Sequence, residues 1–275
     1  MTGEPLRTVP IDLCLTGEQQ QQGHVVSSRA EFVFYKDSSL SVSRIHPLGG
    51  PRAGGTQLHV YLEDERMLVD LGGAVHGVFC RFTYAQPSPS LHAVSSVNLT
   101  VHAELVSCAG ARSCGAGWGA IACTAPEYDG PFSTAGDAEA IVEVSINGQD
   151  YSSSGLTFRY YDPASWRVHR FAPLGGPLGG NVSVSLYGAL LRPLGDVRCR
   201  FTEADRAAEA NKKGLAAETN ATVQEGGALV SCASPPHWIL DRGTQYTALD
   251  ITLNGQHYMA IEVGVQPPEV TPHRS

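Results

Sequence analysis

One phrase in this chain occurs twice, and the repetition limits what it can fold into. Arg44-Ile45-His46-Pro47-Leu48-Gly49-Gly50-Pro51 returns as Arg170-Phe171-Ala172-Pro173-Leu174-Gly175-Gly176-Pro177. The same events follow each copy in the same order. A Gly-Gly pair comes first (Gly54-Gly55, Gly179-Gly180), then an alternating strand and a Cys-Arg-Phe-Thr tetrad at Cys80 to Thr83 and at Cys199 to Thr202. A second cysteine (Cys123, Cys232) and an Asn-Gly-Gln at Asn147 and Asn254 complete the series. Short-period solenoids repeat every ~20–50 residues; self-similarity on this longer scale requires two copies of one domain.

The N-terminal segment joins the same series. Phe32-Val33-Phe34-Tyr35-Lys36-Asp37 matches Phe158-Arg159-Tyr160-Tyr161-Asp162-Pro163, and Ile11-Asp12-Leu13 aligns with Val142-Glu143-Val144 and with Leu249-Asp250-Ile251. Residues 1–38 are therefore expected to be the C-terminal remnant of a preceding domain in a longer array. One domain is expected over 39–163, a second over 164–266 and a tail over 267–275. Alternation in the remnant predicts two half-buried strands, with Ile11, Leu13, Leu15, Phe32 and Phe34 on their apolar faces. A glutamine-rich loop, Gly17 to Gly23, joins them. Without a front half the hairpin exposes apolar faces and unpaired edges, and it is expected to be poorly ordered or docked against the next domain.

The chain has 30 Gly, 17 Pro and only 17% charged residues, and its short Val, Ile, Leu, Phe and Tyr runs are broken by turn residues. That composition points to an all-β chain. A net charge of −8 leaves no basic surplus to displace counterions from phosphates, which argues against nucleic acid as a partner. No apolar run is long enough to cross a bilayer and the first residues do not open a signal peptide, so a membrane would be met only through other regions of a longer chain.

Of 7 cysteines, Cys80 and Cys199 share one repeat position and Cys123 and Cys232 another. Cys108 and Cys114 form an extra close pair, and Cys14 is left over. Such counting suits a disulfide framework cut away from one partner; buried free thiols in a reducing compartment are the competing reading. Sequons at Asn98, Asn181 and Asn220 are candidate glycosylation sites and lean towards an oxidising, extracellular location.

Along the first copy, Leu58, Val60 and Leu62 alternate with polar neighbours, and so do Val78, Cys80 and Phe82. Glu63-Asp64-Glu65-Arg66 lacks an EF-hand spacing and reads as a solvated turn rather than a calcium site. Alternation turns Asn98 and Thr100 outward. The glycine-flanked Trp118, at the end of the Cys108 to Cys114 loop, is a candidate contact for a protein or sugar, against the plainer reading of a Trp folded onto its own domain. Asn147-Gly148 and Asn254-Gly255 are hairpin turns first. The linker from Tyr161 to Ser165 is too short to be flexible, so the domains should sit end to end with restricted bending. In the second copy strands are expected at Val182 to Leu186, Val197 to Phe201, Ala228 to Cys232, Leu249 to Leu253 and Met259 to Val263. A short exposed helix is expected within Glu203 to Lys213.

Taken together, the Pro-x-Gly-Gly opening, Cys-x-Phe, Cys-x-x-Pro, Asn-Gly and closing Phe-x-Tyr-Tyr resemble the IPT/TIG domain. That is the immunoglobulin-like module of plexins, Met-type receptors, fibrocystin-like surface proteins and, without the disulfide, certain transcription factors. The resemblance spans nearly the whole chain as one partial and two complete copies. It implies tandem immunoglobulin-like β-sandwiches with flanking domains of the same kind, and disulfides joining Cys80 to Cys123 and Cys199 to Cys232. The Cys108 and Cys114 pair departs from the pattern.

Catalytic motifs are missing from the sequence. The 10 histidines are dispersed with no H-E-x-x-H, there is no G-x-S-x-G, and Pro-Leu-Gly-Gly-Pro lacks the Lys-Ser/Thr of a phosphate loop. No catalysis, cofactor or metal is expected. The leading function is a non-catalytic extracellular segment for adhesion, ligand binding or spacing, with a protein or glycan ligand. The alternatives are an accessory module of a larger secreted enzyme and an intracellular transcription-factor-type domain.

Overall fold

The computed structural model describes residues 7–15, 24–36, 40–64, 77–87, 94–106, 119–189, 191–203, 216–236 and 247–261. Expectations for Cys108, Cys114, Trp118, the short helix beyond Glu203, the glutamine loop and the tail fall outside these residues. Cys14 lies on a described strand, but its side chain also falls outside. Among the described residues there are strands throughout and one single-turn 3-10 helix, Glu225–Gly227.

Within that set, strands β1 (Arg7–Leu15) and β2 (His24–Phe34) pair only with each other. The first complete copy forms one sheet ordered β3 (Val42–His46), β5 (Gln57–Leu62), β8 (Ala120–Thr124), β7 (Val94–Val106), β6 (Val78–Pro87), β9 (Asp137–Ser145), β10 (Thr157–Tyr161), β4 (Gly49–Pro51). The second is ordered β11 (Arg167–Ala172), β12 (Ser183–Ala189), β15 (Leu229–Ala233), β14 (Ala216–Val223), β13 (Arg198–Glu203), β16 (Thr247–Thr252), β17 (Tyr258–Ala260).

Each sheet folds over itself because one strand changes layers. Along β7, Val94 to Ala103 pairs with β6 and Ala103 to Val106 with β8; along β14, Ala216 to Asn220 pairs with β13 and Ala221 to Val223 with β15. The result is two sandwiches of immunoglobulin type, antiparallel except where β4 joins β10, in which period-two alternation sends one face inward. Cys80, Phe82, Val142, Val144, Phe158 and Tyr160 meet Leu58, Val60 and Ile121 in the first core. Leu186, Val230, Ile251 and Leu253 centre the second. Each fully buried side chain of this size is worth about 1.5–3 kcal/mol relative to exposure. Disulfides Cys80–Cys123 and Cys199–Cys232 tie β6 to β8 and β13 to β15, joining layer to layer at the same place in both copies.

Three sequence expectations need correction. β14 is absent from the expected strands, because its inward residues include the small Ala217 and Ala221 and give no strong apolar alternation. β11 is absent from them too. In the N-terminal hairpin the faces are reversed: Phe32 and Phe34 are 52% and 55% exposed, whereas Val33 and Tyr35 pack against the first sandwich. The aligned Phe158 and Tyr160 are 0% and 1% exposed. A two-stranded sheet has no second layer to cover that face.

Candidate functional site: the joint between the sandwiches

The chain passes from one sandwich to the other through Tyr161-Asp162-Pro163-Ala164-Ser165-Trp166. Asp162 accepts at Oδ1 from Ala164 N (3.0 Å) and at its carbonyl from Ser165 N (2.9 Å), while its own N–H donates to Gly136 O (3.1 Å). An aspartate at the head of a turn bonds its own backbone in this way, so the linker is a hydrogen-bonded turn. Tyr161 ends β10 of the first sandwich yet belongs to the second core. Its ring stacks on Trp166 with centroids 4.4 Å apart and planes 11° apart. Burial pushes its phenol up to about 12. Tyr35, the aligned residue before the first sandwich, likewise packs against the core that follows it.

The repeated phrase forms the other half of the joint. β4 runs parallel to β10, which brings backbone against backbone and explains the glycines. A Cβ on Gly49 would lie 2.3 Å from Arg159 O and 3.0 Å from Leu194 Cδ2, and one on Gly50 would lie 2.0 Å from Thr56 Oγ1. Leu48 N donates to Leu194 O of the second sandwich (2.7 Å).

The Asn-Gly-Gln turn of the second sandwich closes onto this loop. Asn254, 2% exposed, accepts at Oδ1 from Gln256 N (3.1 Å) and His257 N (3.0 Å), and donates from Nδ2 to Gly49 O (3.0 Å). Gln256 pairs its amide with the Gln57 backbone, Nε2 donating to O and Oε1 accepting from N, both 2.8 Å. His257 Nε2 lies 3.0 Å from Thr56 Oγ1, and Arg192 Nε lies 3.3 Å from Asp137 Oδ2. In the first sandwich the same turn keeps its bonds at home: Asn147 Oδ1 accepts from Gln149 N and Asp150 N, and Nδ2 donates to Asp150 Oδ2 (2.8 Å). His257 stands where Asp150 does, which frees the Asn254 amide to reach the neighbouring domain.

A second repeated device braces each turn. The arginine of Cys-Arg-Phe-Thr pairs with an acid on the next strand and lies over the tyrosine that follows Asn-Gly-Gln-x. Arg81 pairs with Glu143 and sits 3.9 Å from the Tyr151 ring; Arg200 pairs with Asp250 (2.7 Å) and sits 3.8 Å from the Tyr258 ring. Tyr258 also donates to Glu218 Oε1 (2.6 Å), and burial followed by that hydrogen bond pushes its phenol up to about 12. Both arginines and both tyrosines are visible in the aligned copies; their meeting depends on strand register.

Asn254→Ala would leave the Gly49 carbonyl and two turn N–H groups without their partner. A loss of about 1–3 kcal/mol is expected in urea unfolding, against about 1 kcal/mol or less for the exposed Asn147→Ala. The joint should also respond to acid. Burial lowers the pKa of His257 below its ordinary 6.5, and burial followed by His46 lowers that of His59. The unfolded chain then binds more protons, so their contribution is complete above 6.5 and is lost as pH falls through the folded values. Between pH 7 and about pH 5 the melting temperature should fall more steeply for the natural chain than for His257→Gln.

The three sequon asparagines, Asn98, Asn181 and Asn220, are all exposed. Asn98 Oδ1 accepts the Thr83 hydroxyl (2.8 Å), with Val97, Leu99 and Val101 turned towards the core. Among the described residues no group of three or more His, Cys, Asp or Glu is placed to hold a metal ion, and no helix is long and apolar enough to cross a membrane.

No family model matches the sequence, and no curated protein matches it. Among solved structures the chain is similar to two of the full extracellular region of plexin A4. One, of domains 1 to 8, matches at 12% identity and TM-score 0.43, covering 82% of this chain and 18% of that one. The other, of domains 1 to 10, matches at 12% identity and TM-score 0.45, covering 82% and 15%. A mouse clustered PcdhgC3 EC1–3 structure matches at 12% identity and TM-score 0.18, covering 95% and 76%. The chain thus spans less than a fifth of the plexin chains it matches. At these identities and scores they lend no weight to a reading of function.

Proposed function

We propose that this chain is a non-catalytic extracellular segment of a surface or secreted protein, built of IPT/TIG-type domains over 39–163 and 164–266, and that it acts as a stiff spacer presenting its outward loops to a protein or glycan ligand. The observation that carries this is the joint. Asn254, Gln256, His257 and Leu194 of one sandwich grip the Leu48 to Gln57 segment of the other, and the linker turn is closed by Asp162. An enzyme keeps a concave site with converging polar groups; among the described residues the polar groups that converge at the joint are spent on domain packing. The two layer-to-layer disulfides suit an oxidising compartment.

Non-reduced peptide mapping of the chain from a secretory host tests the reading. Cys80–Cys123 and Cys199–Cys232 linkages, with glycan on at least one of Asn98, Asn181 and Asn220, are expected. Free thiols and bare asparagines would overturn it.

A further inference from the structure

Granting the extracellular reading above, on which this rests, we propose that Asn181 carries an N-linked glycan, and that this glycan covers the loop end of the second sandwich, the surface that in the first sandwich is partly covered by the next domain. The two loop ends match bond for bond. Gly54 N donates to Pro51 O (3.0 Å), Gly55 N to Ala125 O (2.9 Å) and Ala125 N to Thr56 O (2.8 Å); Gly180 N donates to Pro177 O (3.0 Å), Asn181 N to Ser234 O (2.8 Å) and Ser234 N to Val182 O (2.8 Å). This corrects the alignment of Gly54-Gly55 with Gly179-Gly180 by one residue. Asn181, at φ 59°, takes the left-handed place of Gly55 at φ 80°, a conformation that asparagine tolerates better than most residues.

The sequon Asn181-Val182-Ser183 therefore lies on the positions of Gly55, Thr56 and Gln57, and the last two are the residues that hold His257 and Gln256. Val182 has lost the hydroxyl that Thr56 offers a histidine. A Cβ at Gly55 meets nothing within 4 Å, so a side chain at this place points into open space where it can carry sugar. Beside it, Leu174 and Leu178 are 80% and 71% exposed, the most of any large hydrophobics among the described residues. They stand where the first sandwich has Leu48, at 48%, and Arg52. The second copy has thus lost a polar docking contact and gained a bare apolar loop next to an acceptor for a bulky, solubilising group.

The test uses the full chain secreted from mammalian cells. Glycopeptide mass spectrometry reads occupancy at each sequon, and hydrophobic-dye fluorescence compares the natural chain with Ser183→Ala, which removes the sequon and keeps the left-handed asparagine. Sugar on Asn181 is expected, together with a rise in fluorescence of about twofold or more in Ser183→Ala that is reversed by adding Leu174→Ser and Leu178→Ser. Sugar on Asn98 or Asn220 with Asn181 bare would overturn the proposal, leave the extracellular reading standing and return this face to another domain's Asn-Gly-Gln turn. Sugar on Asn181 with unchanged fluorescence in Ser183→Ala would overturn the covering role alone. All three asparagines bare would overturn the proposal, and free thiols beside them would overturn the extracellular reading as well.

Discussion

Replacing Cys199 and Cys232 together with alanine should lower the unfolding free energy of the second sandwich by about 4 kcal/mol. The bond closes a sequence separation of 33 residues, and a crosslink of that span removes much of the freedom of the unfolded chain. It also joins β13 to β15, which have no strand-to-strand hydrogen bonds with each other. Calorimetry should resolve a low-temperature transition for the second sandwich, with the first shifted less. The Cys80, Cys123 double replacement, with a separation of 43, should do the same to the first sandwich. A loss below about 1 kcal/mol in either would mean that the layers are held by packing alone.

Trp166→Ala should cost about 3–5 kcal/mol, the range for emptying a large aromatic site in a core. Trp166 is 3% exposed, stacks on Tyr161 and lies in the second core. Because Tyr161 is the last residue of β10, the replacement removes both a core side chain and the ring on which the end of the first sandwich stacks. Urea unfolding should therefore show the second sandwich destabilised and the two transitions separated. Leu174→Ala, at 80% exposure, should stay within about 0.5 kcal/mol. Similar losses at the two positions would contradict the packing described for the joint.

The two copies and their strand character were legible because they rest on local signals. Repetition of Pro-Leu-Gly-Gly, alternation around Cys80 and Cys199, and Asn-Gly turns each act over a few residues. The short linker was legible too, and it pointed to end-to-end domains. What the sequence hid was which groups meet across the joint. Asn147 and Asn254 look identical in a one-line alignment, and only His257 in place of Asp150 decides whether the amide bonds within its own turn or reaches Gly49. The equivalence of Asn181 with Gly55 was masked by glycine pairs offset by one residue, which only backbone hydrogen bonds resolve. β14 escaped because alanines carry little apolar signal, and Phe32 and Phe34 misled because the two-stranded sheet they lie on has no second layer among the described residues to cover them.

The proposed function depends on a stiff joint, and residual dipolar couplings measured on the whole chain in one alignment medium test that most directly. A single alignment tensor that fits the amide couplings of both sandwiches is the expected result. Two tensors of different magnitude would show the sandwiches reorienting independently and would contradict a fixed joint.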